Sequence, residues 1–180
     1  MAKPKNALVA VASRLRMRPN PVASPERAPV SAYVAVGANL GDPVAAVSAA
    51  LNALSQLSDT HTVAVSGLYR SAPHQAQGPS FVNAVAHLHT RLNAPDLLEA
   101  LQAMEQQAGR VRSVLNAPRT LDLDILFYGH CQMQSCFLTL PHPRWMERAF
   151  VLLPLQELAP HLVIPAMLRA VTDQPIKKIG

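Results

Sequence analysis

The chain has 180 residues, 49% hydrophobic and 15% charged, a length and balance that suit one domain with a sizeable core. Its formal charge of +5 comes from residues 1–30, which hold six basic side chains and one acid, so the rest carries ten of each sign and no basic excess that would point to nucleic acid. No run approaches the ~18–20 apolar residues needed to span a membrane, and two cysteines, Cys131 and Cys136, argue against a disulfide scaffold or a structural zinc site and make the cytoplasm the expected compartment.

Residues 1–30 read as a leader. Pro4, Pro19, Pro21, Pro25 and Pro29 interrupt them and little hydrophobic periodicity is present, so disorder is expected. The Arg/Ser content faintly suggests a transit peptide, against which the prolines oppose a continuous amphipathic helix. The folded domain is expected over 31–180. Residues 32–36 predict a buried strand ended by Gly37-Ala38-Asn39-Leu40-Gly41. Asp42 is placed to cap a helix with Pro43 at its first position, and Val44, Val47, Leu51, Leu54 and Leu57 give it a helical stripe. Residues 62–71 predict a second strand and 81–90 a third, antiparallel to it. A helix opens at Asn93 or Ala94, with Leu97, Leu101 and Met104 on its apolar side and Gly109 as its stop. After a loop over 110–118, residues 121–128 predict a strand. The order β-α-β-β-α-β is that of a ferredoxin-like α+β sandwich, an antiparallel sheet with helices packed on it. A C-terminal helical extension follows: a short helix after Pro143, an apolar segment over 150–158 and a helical piece near 166–171.

The last strand carries the chemistry. Arg119 precedes it, and Asp122 and Asp124 lie two residues apart, so their carboxylates share a face while Leu121, Leu123 and Ile125 take the other. Two residues advance a strand by about 6.6 Å, a separation from which two carboxylates can lean together on divalent ions ~3.5–4 Å apart. Arg110, Arg112 and Arg119 flank them, suited to phosphate oxygens. His142 and Arg148 lie downstream. The Gly37–Gly41 turn lacks the Gly-Lys-Ser/Thr ending of a P-loop, and no Gly-x-Gly-x-x-Gly occurs. Any nucleotide is therefore expected to be held through metals and arginines. Phe81 and Asn83 share a strand face and could stack on and hydrogen-bond a flat heterocycle, with Phe150 a second ring. His87 and His89 read as ordinary surface or edge histidines.

Gly109-Arg110-Val111-Arg112 followed by Pro118-Arg119-Thr120-Leu121-Asp122-Leu123-Asp124-Ile125 resembles the 6-hydroxymethyl-7,8-dihydropterin pyrophosphokinase family. Support comes from Val36-Gly37-Ala38-Asn39-Leu40-Gly41, Tyr69-Arg70-Ser71-Ala72-Pro73, Phe81-Val82-Asn83-Ala84, and Pro141-His142 with Arg148-Ala149-Phe150. The resemblance implies transfer of a diphosphate from ATP to a pterin alcohol in folate biosynthesis. It implies two Mg²⁺ on Asp122 and Asp124, charge stabilisation by Arg110 and Arg119, and ATP contacts from Gln102, Glu105, Arg112, Ile125, Thr139, His142 and Arg148. Pterin contacts would come from Ser71, Ala72, Pro73, Phe81, Asn83 and Phe150. A monomer that binds ATP and a reduced pterin, and neither nucleic acid nor membrane, is expected. The chain departs from the family pattern in a 113–117 loop one residue shorter and without its tryptophan, in His74 where leucine is common, and in Phe137 where an arginine can meet phosphate. Two rival readings stand beside this one: a ferredoxin-like RNA- or metabolite-binding module without catalysis, and a metal-dependent phosphohydrolase.

Overall fold

The computed structural model describes residues 27–73, 78–109 and 119–179. The expected leader (save its last residues), the 113–117 loop, His74, Arg110 and Arg112 lie outside them. Strand β1 (Val30–Ala38) alternates strictly: Ala32, Val34, Val36 and Ala38 are fully buried on one face, with Tyr33, Ala35 and Gly37 on the other. Helix α1 (Pro43–Leu54) starts as the sequence predicts, with the Asp42 carboxylate accepting from Ala45 N at 3.0 Å and Pro43 at the first position. Strands β2 (Thr60–Val65), β3 (Tyr69–Ser71) and β4 (Phe81–Thr90) follow, then α2 (Ala94–Gln107), capped by the Asn93 side chain on Asp96 N at 2.8 Å. Strand β5 (Asp122–Tyr128) completes the β-α-β-β-α-β order.

All pairings in the main sheet are antiparallel, in the order β5-β1-β4-β3, with β2 also on β4. The single strand expected over 62–71 is thus two. Ser66 and Gly67 leave the ladder between them: Ser66 N–H donates to Val85 O and the Ser66 hydroxyl accepts from Val85 N, both at 2.9 Å. The side chain completes what a strand partner would have given, and the Gly67 N–H turns to the Glu157 carboxylate at 3.1 Å.

Helices α1 and α2 cover one face of the sheet through Val47, Ala50, Leu54, Leu97, Leu101 and Met104. The C-terminal extension covers the other. Its 3-10 turn (Trp145–Glu147) leads into α3 (Ala149–Leu158), whose Val151, Leu152 and Leu155 pack on Val85 and Leu126. Each such fully buried Leu contributes about 1.5–3 kcal/mol by leaving water. Leu126 is an extra residue in the β1–β5 ladder, opposite the Tyr33/Val34 step. The bulge lets both Leu126 and Phe127 contribute to this second core. Helix α4 (Pro165–Ala170) agrees with the expected helical piece, whereas the hairpin of β6 (Met133–Gln134) with β7 (Thr139–Leu140) and the last strand, β8 (Ile176–Lys178), are too short to carry a readable period. No helix among the described residues is long and apolar enough to cross a membrane.

β8 pairs with β3 and extends the sheet. A polar knot fastens it to α3: the Glu157 carboxylate accepts from the Tyr69 hydroxyl and meets Lys178 Nζ at 2.9 Å. Burial and the carboxylate push the Tyr69 phenol up to about 12. For Glu157, burial alone would raise the carboxyl, but Tyr69, the Gly67 N–H and Lys178 outweigh it and hold the group below its ordinary value. A carboxyl depressed by folding stabilises the fold above its unfolded value and loses that contribution as the pH falls through the folded one. Thermal melts of wild type and Glu157→Gln should therefore show a gap in Tm at neutral pH that narrows as the pH falls below 4.5, the carboxyl's ordinary value, and through its lowered folded one. A gap of constant width down to acid pH would mean that the carboxylate charge adds nothing.

Candidate active site

Asp122 and Asp124 both face the α3 side of the sheet, as their spacing requires. Register places Asp122 opposite Gly37, Gly37 opposite Asn83, and Asn83 opposite Tyr69, so one row crosses four strands. A Cβ on Gly37 would stand 3.1 Å from Asn83 Oδ1. The glycine therefore leaves a bare floor between the acid and the amide. Asn83 is buried, and its Nδ2 donates to the buried Ser71 hydroxyl at 3.0 Å, which holds the side chain in place. Phe81, two residues away on the same face, pairs with Ser71.

The Arg119 guanidinium pairs with Asp122. What holds Arg119 is a residue of the Gly37–Gly41 turn, Asn39. Asn39 is 2% exposed, and its Oδ1 accepts from Arg119 N at 2.7 Å while its own N–H donates to Arg119 O at 3.0 Å. Its Nδ2 donates to Pro79 O at 3.2 Å. One buried amide thus ties the end of β1 to the segments that enter β5 and β4. An asparagine between glycines is equally what a tight turn selects, so this role had no distinct sequence signal.

His142 reaches the site along β5: its N–H donates to Leu126 O at 2.9 Å, and its Nε2 lies 3.9 Å from Asp124 Oδ2. Burial, then the Arg148 and Arg144 charges, lower its pKa to about 4 against a smaller opposing pull from Asp122. The ring is neutral at physiological pH. Its Nδ1 accepts from Arg144 N at 3.1 Å, so the proton is assigned to Nε2, toward the aspartates. His142 is built to donate a hydrogen bond there. Burial and Arg144 likewise lower the Arg148 pKa, while Asp124 and Asp122 oppose them. The Arg148 guanidinium lies 5.5 Å from the centre of the Phe150 ring. Arg119, Arg144 and Arg148 therefore gather around two carboxylates, a balance suited to a polyanion.

The remaining expected residues divide between two places. Gln102, Glu105 and Ile125 belong to the α2 side of β5. Ile125 is 2% exposed, so its side chain offers a ligand no surface. Glu105 is 3% exposed, and its Oε1 accepts from Leu123 N at 2.8 Å. It holds the backbone between the two aspartates. That bond points the Leu123 N–H away from β1, and strand alternation then turns the Ile125 N–H and C=O toward the same outer edge of the sheet. Thr139 stands in β7, paired with Gln134. The second place is a cleft between residues 71–73, the start of α3 with Phe150, and residues 174–176 of the C-terminal run. His87, read as an ordinary histidine, is half-buried, stacked on Tyr33 and hydrogen-bonded to Ser31 at 2.6 Å. No group of three or more His, Cys, Asp or Glu suited to a metal occurs among the described residues.

Residues 33–160 match the family model of 7,8-dihydro-6-hydroxymethylpterin-pyrophosphokinase. The chain is 51% identical over 134 residues to the 2-amino-4-hydroxy-6-hydroxymethyldihydropteridine pyrophosphokinase of Pseudomonas aeruginosa, covering 74% of this chain and 83% of that protein. It is 48% identical over 137 residues to the protein of the same name from Haemophilus influenzae, covering 76% and 86% respectively. With the folic acid synthesis protein fol1 of Schizosaccharomyces pombe it shares 39% identity over 148 residues, 82% of this chain and 20% of that longer protein.

Asn39→Ala removes the two side-chain hydrogen bonds, keeps the backbone one, and leaves the Arg119 N–H without its side-chain acceptor, which should cost about 2–4 kcal/mol in denaturant unfolding. Asn39→Asp keeps that acceptor but not the donor to Pro79 O, and should lie between wild type and Asn39→Ala in both stability and turnover. Equal stability of Asn39→Ala and wild type would show that the clamp carries no weight.

Proposed function

The chain belongs to the 7,8-dihydro-6-hydroxymethylpterin-pyrophosphokinase family, and from that premise we propose that it moves the β,γ-diphosphate of ATP to the hydroxymethyl oxygen of 6-hydroxymethyl-7,8-dihydropterin, releasing AMP, in folate biosynthesis. The observation that carries the site assignment is the row Asp122–Gly37–Asn83 with Arg119, His142 and Arg148 above its acidic end. The acids and arginines suit a polyphosphate, while Asn83, Ser71 and Phe150 suit a flat heterocycle carrying amide and amine edges.

The donor set fits Mg²⁺. Both aspartates offer hard oxygen ligands from one face, over the floor that Gly37 leaves bare, and Mg²⁺ typically takes one or two carboxylates with phosphate and water completing its shell. When bound, two such ions would neutralise phosphate charge and polarise the phosphoryl oxygens. The protein's own groups supply position and fixed charge. Asp122 already holds a cation, the Arg119 guanidinium, and ligand binding would release that arginine to the transferring group. Arg110 would join it there, with Arg112 and Arg148 on the triphosphate. Neutral His142 would donate through Nε2 to a phosphate oxygen. The outward backbone of Ile125 would meet the adenine at the sheet's edge, near Gln102 and Thr139. Glu105 serves that nucleotide site by holding Leu123 between the metal ligands. Across the floor, Asn83 would read the pterin edge, its ring lying between Phe150 and the 71–73 loop near Phe81. The reaction needs only small soluble substrates, consistent with a monomer acting in the cytoplasm.

AMP release from ATP, followed with and without the reduced pterin alcohol, tests this reading. AMP formed only with the pterin is the expected result, whereas pterin-independent hydrolysis would identify a phosphohydrolase and no turnover a binding module. Asp122→Asn and Asp124→Asn should each lower kcat by about 10²-fold or more at saturating Mg²⁺, with far-UV circular dichroism unchanged. Wild-type turnover by either variant across a Mg²⁺ titration would overturn the metal assignment.

A further inference from the structure

Helix α3 begins at Ala149, immediately after Arg148, and the first N–H groups of a helix need acceptors from outside it. Ser, Thr, Asp or Asn at the N-cap normally supplies one. Here the N-cap is Arg148, extended at φ −122°, ψ 112°, which makes no side-chain cap bond. Arginine has no acceptor, and its charge has the same sign as the helix N-terminus. An N-cap residue committed to an anionic ligand leaves the capping to another side chain.

Gln174 does that capping from the C-terminal run. Its Oε1 accepts from Ala149 N at 2.9 Å, and its Nε2 donates to Glu147 O at 2.8 Å. With a donor on one side and a carbonyl on the other, only one amide orientation satisfies both. A single side chain thus pins the backbone on either side of Arg148, whose guanidinium lies over Phe150. The same run holds the opposite wall of the cleft: Pro175 O accepts from Ala72 N at 3.2 Å, and Ile176 pairs with Ser71 at the start of β8. Gln174 itself is anchored by its N–H to Val171 O at 3.1 Å.

We propose that Gln174 is a positioning residue of the substrate site, setting Arg148 and Phe150 against the 71–73 loop through the backbone of Glu147 and Ala149. It lies beyond residues 33–160, the span that matches the family model. The inference rests on Arg148 and Phe150 serving ATP and the pterin, as proposed above.

The test measures kcat, both KM values, pterin affinity by ligand fluorescence, and urea midpoints for Gln174→Met, Gln174→Glu and Phe150→Ala. Gln174→Met keeps the volume and loses both bonds, so it should raise the pterin KM and Kd roughly five- to twentyfold at temperatures where it is fully folded. Gln174→Glu keeps the acceptor for Ala149 N and should recover most of that loss. If Gln174→Met does not fold, Gln174→Asn, one methylene too short to reach both groups, carries the same expectation. A folded Gln174→Met with a lower urea midpoint but wild-type KM and kcat would reduce Gln174 to a structural residue and overturn the proposal, provided Phe150→Ala raises the pterin KM. A silent Phe150→Ala would instead overturn the site assignment and the role of Gln174 together.

Discussion

Strand β1 is paired on both sides, and the register of those two ladders determines what can meet on the α3 face. Gly37 lies between Asp122 and Asn83 only because Ala32, Val34, Val36 and Ala38 are buried against α1 and α2 on the opposite face. A slip of one residue would send those four toward the site and the glycine into the core, since side chains alternate. The hydrophobic packing of one face therefore aligns the chemistry of the other. Its apolar area also offsets the cost of holding carboxylates and guanidiniums partly out of water.

The sheet supplies the acids and the amide, and the arginines and the neutral His142 come from segments outside it. Each such segment is held by backbone bonds and not by its own charge: Arg119 by Asn39, His142 by Leu126 O, and the flanks of Arg148 by Gln174. Exposed ion pairs contribute little and are screened by salt. Hydrogen bonds set the backbone, leaving the guanidiniums able to exchange partners. Arg119 bound to Asp122 and Arg148 lying over Phe150 are both arrangements that a ligand can displace.

The second helical layer gives the C-terminal extension a part in the site. Pressing α3 onto Val85 and Leu126 brings the Arg148–Phe150 corner beside β3. The Tyr69–Glu157–Lys178 knot then fastens β8 to α3. The match to the family model ends at residue 160, whereas the cleft includes residues 174–176.

The sequence by itself determined the features encoded over short distances. The strands over 32–36 and 121–128, the Asp42 and Asn93 caps, and the shared face of Asp122 and Asp124 depend on neighbours one to four residues away, where strand and helix periods apply. The Ser66-Gly67 break was harder to read, because a serine hydroxyl that replaces a strand partner shows no interruption in hydrophobicity. Only the tertiary structure decided the tasks of Asn39, Glu105 and Gln174. Each is a polar side chain whose partner lies 18 to 80 residues away, and a hydrogen bond across that distance leaves no periodic trace. It exists only once packing has brought the two segments within about 3 Å.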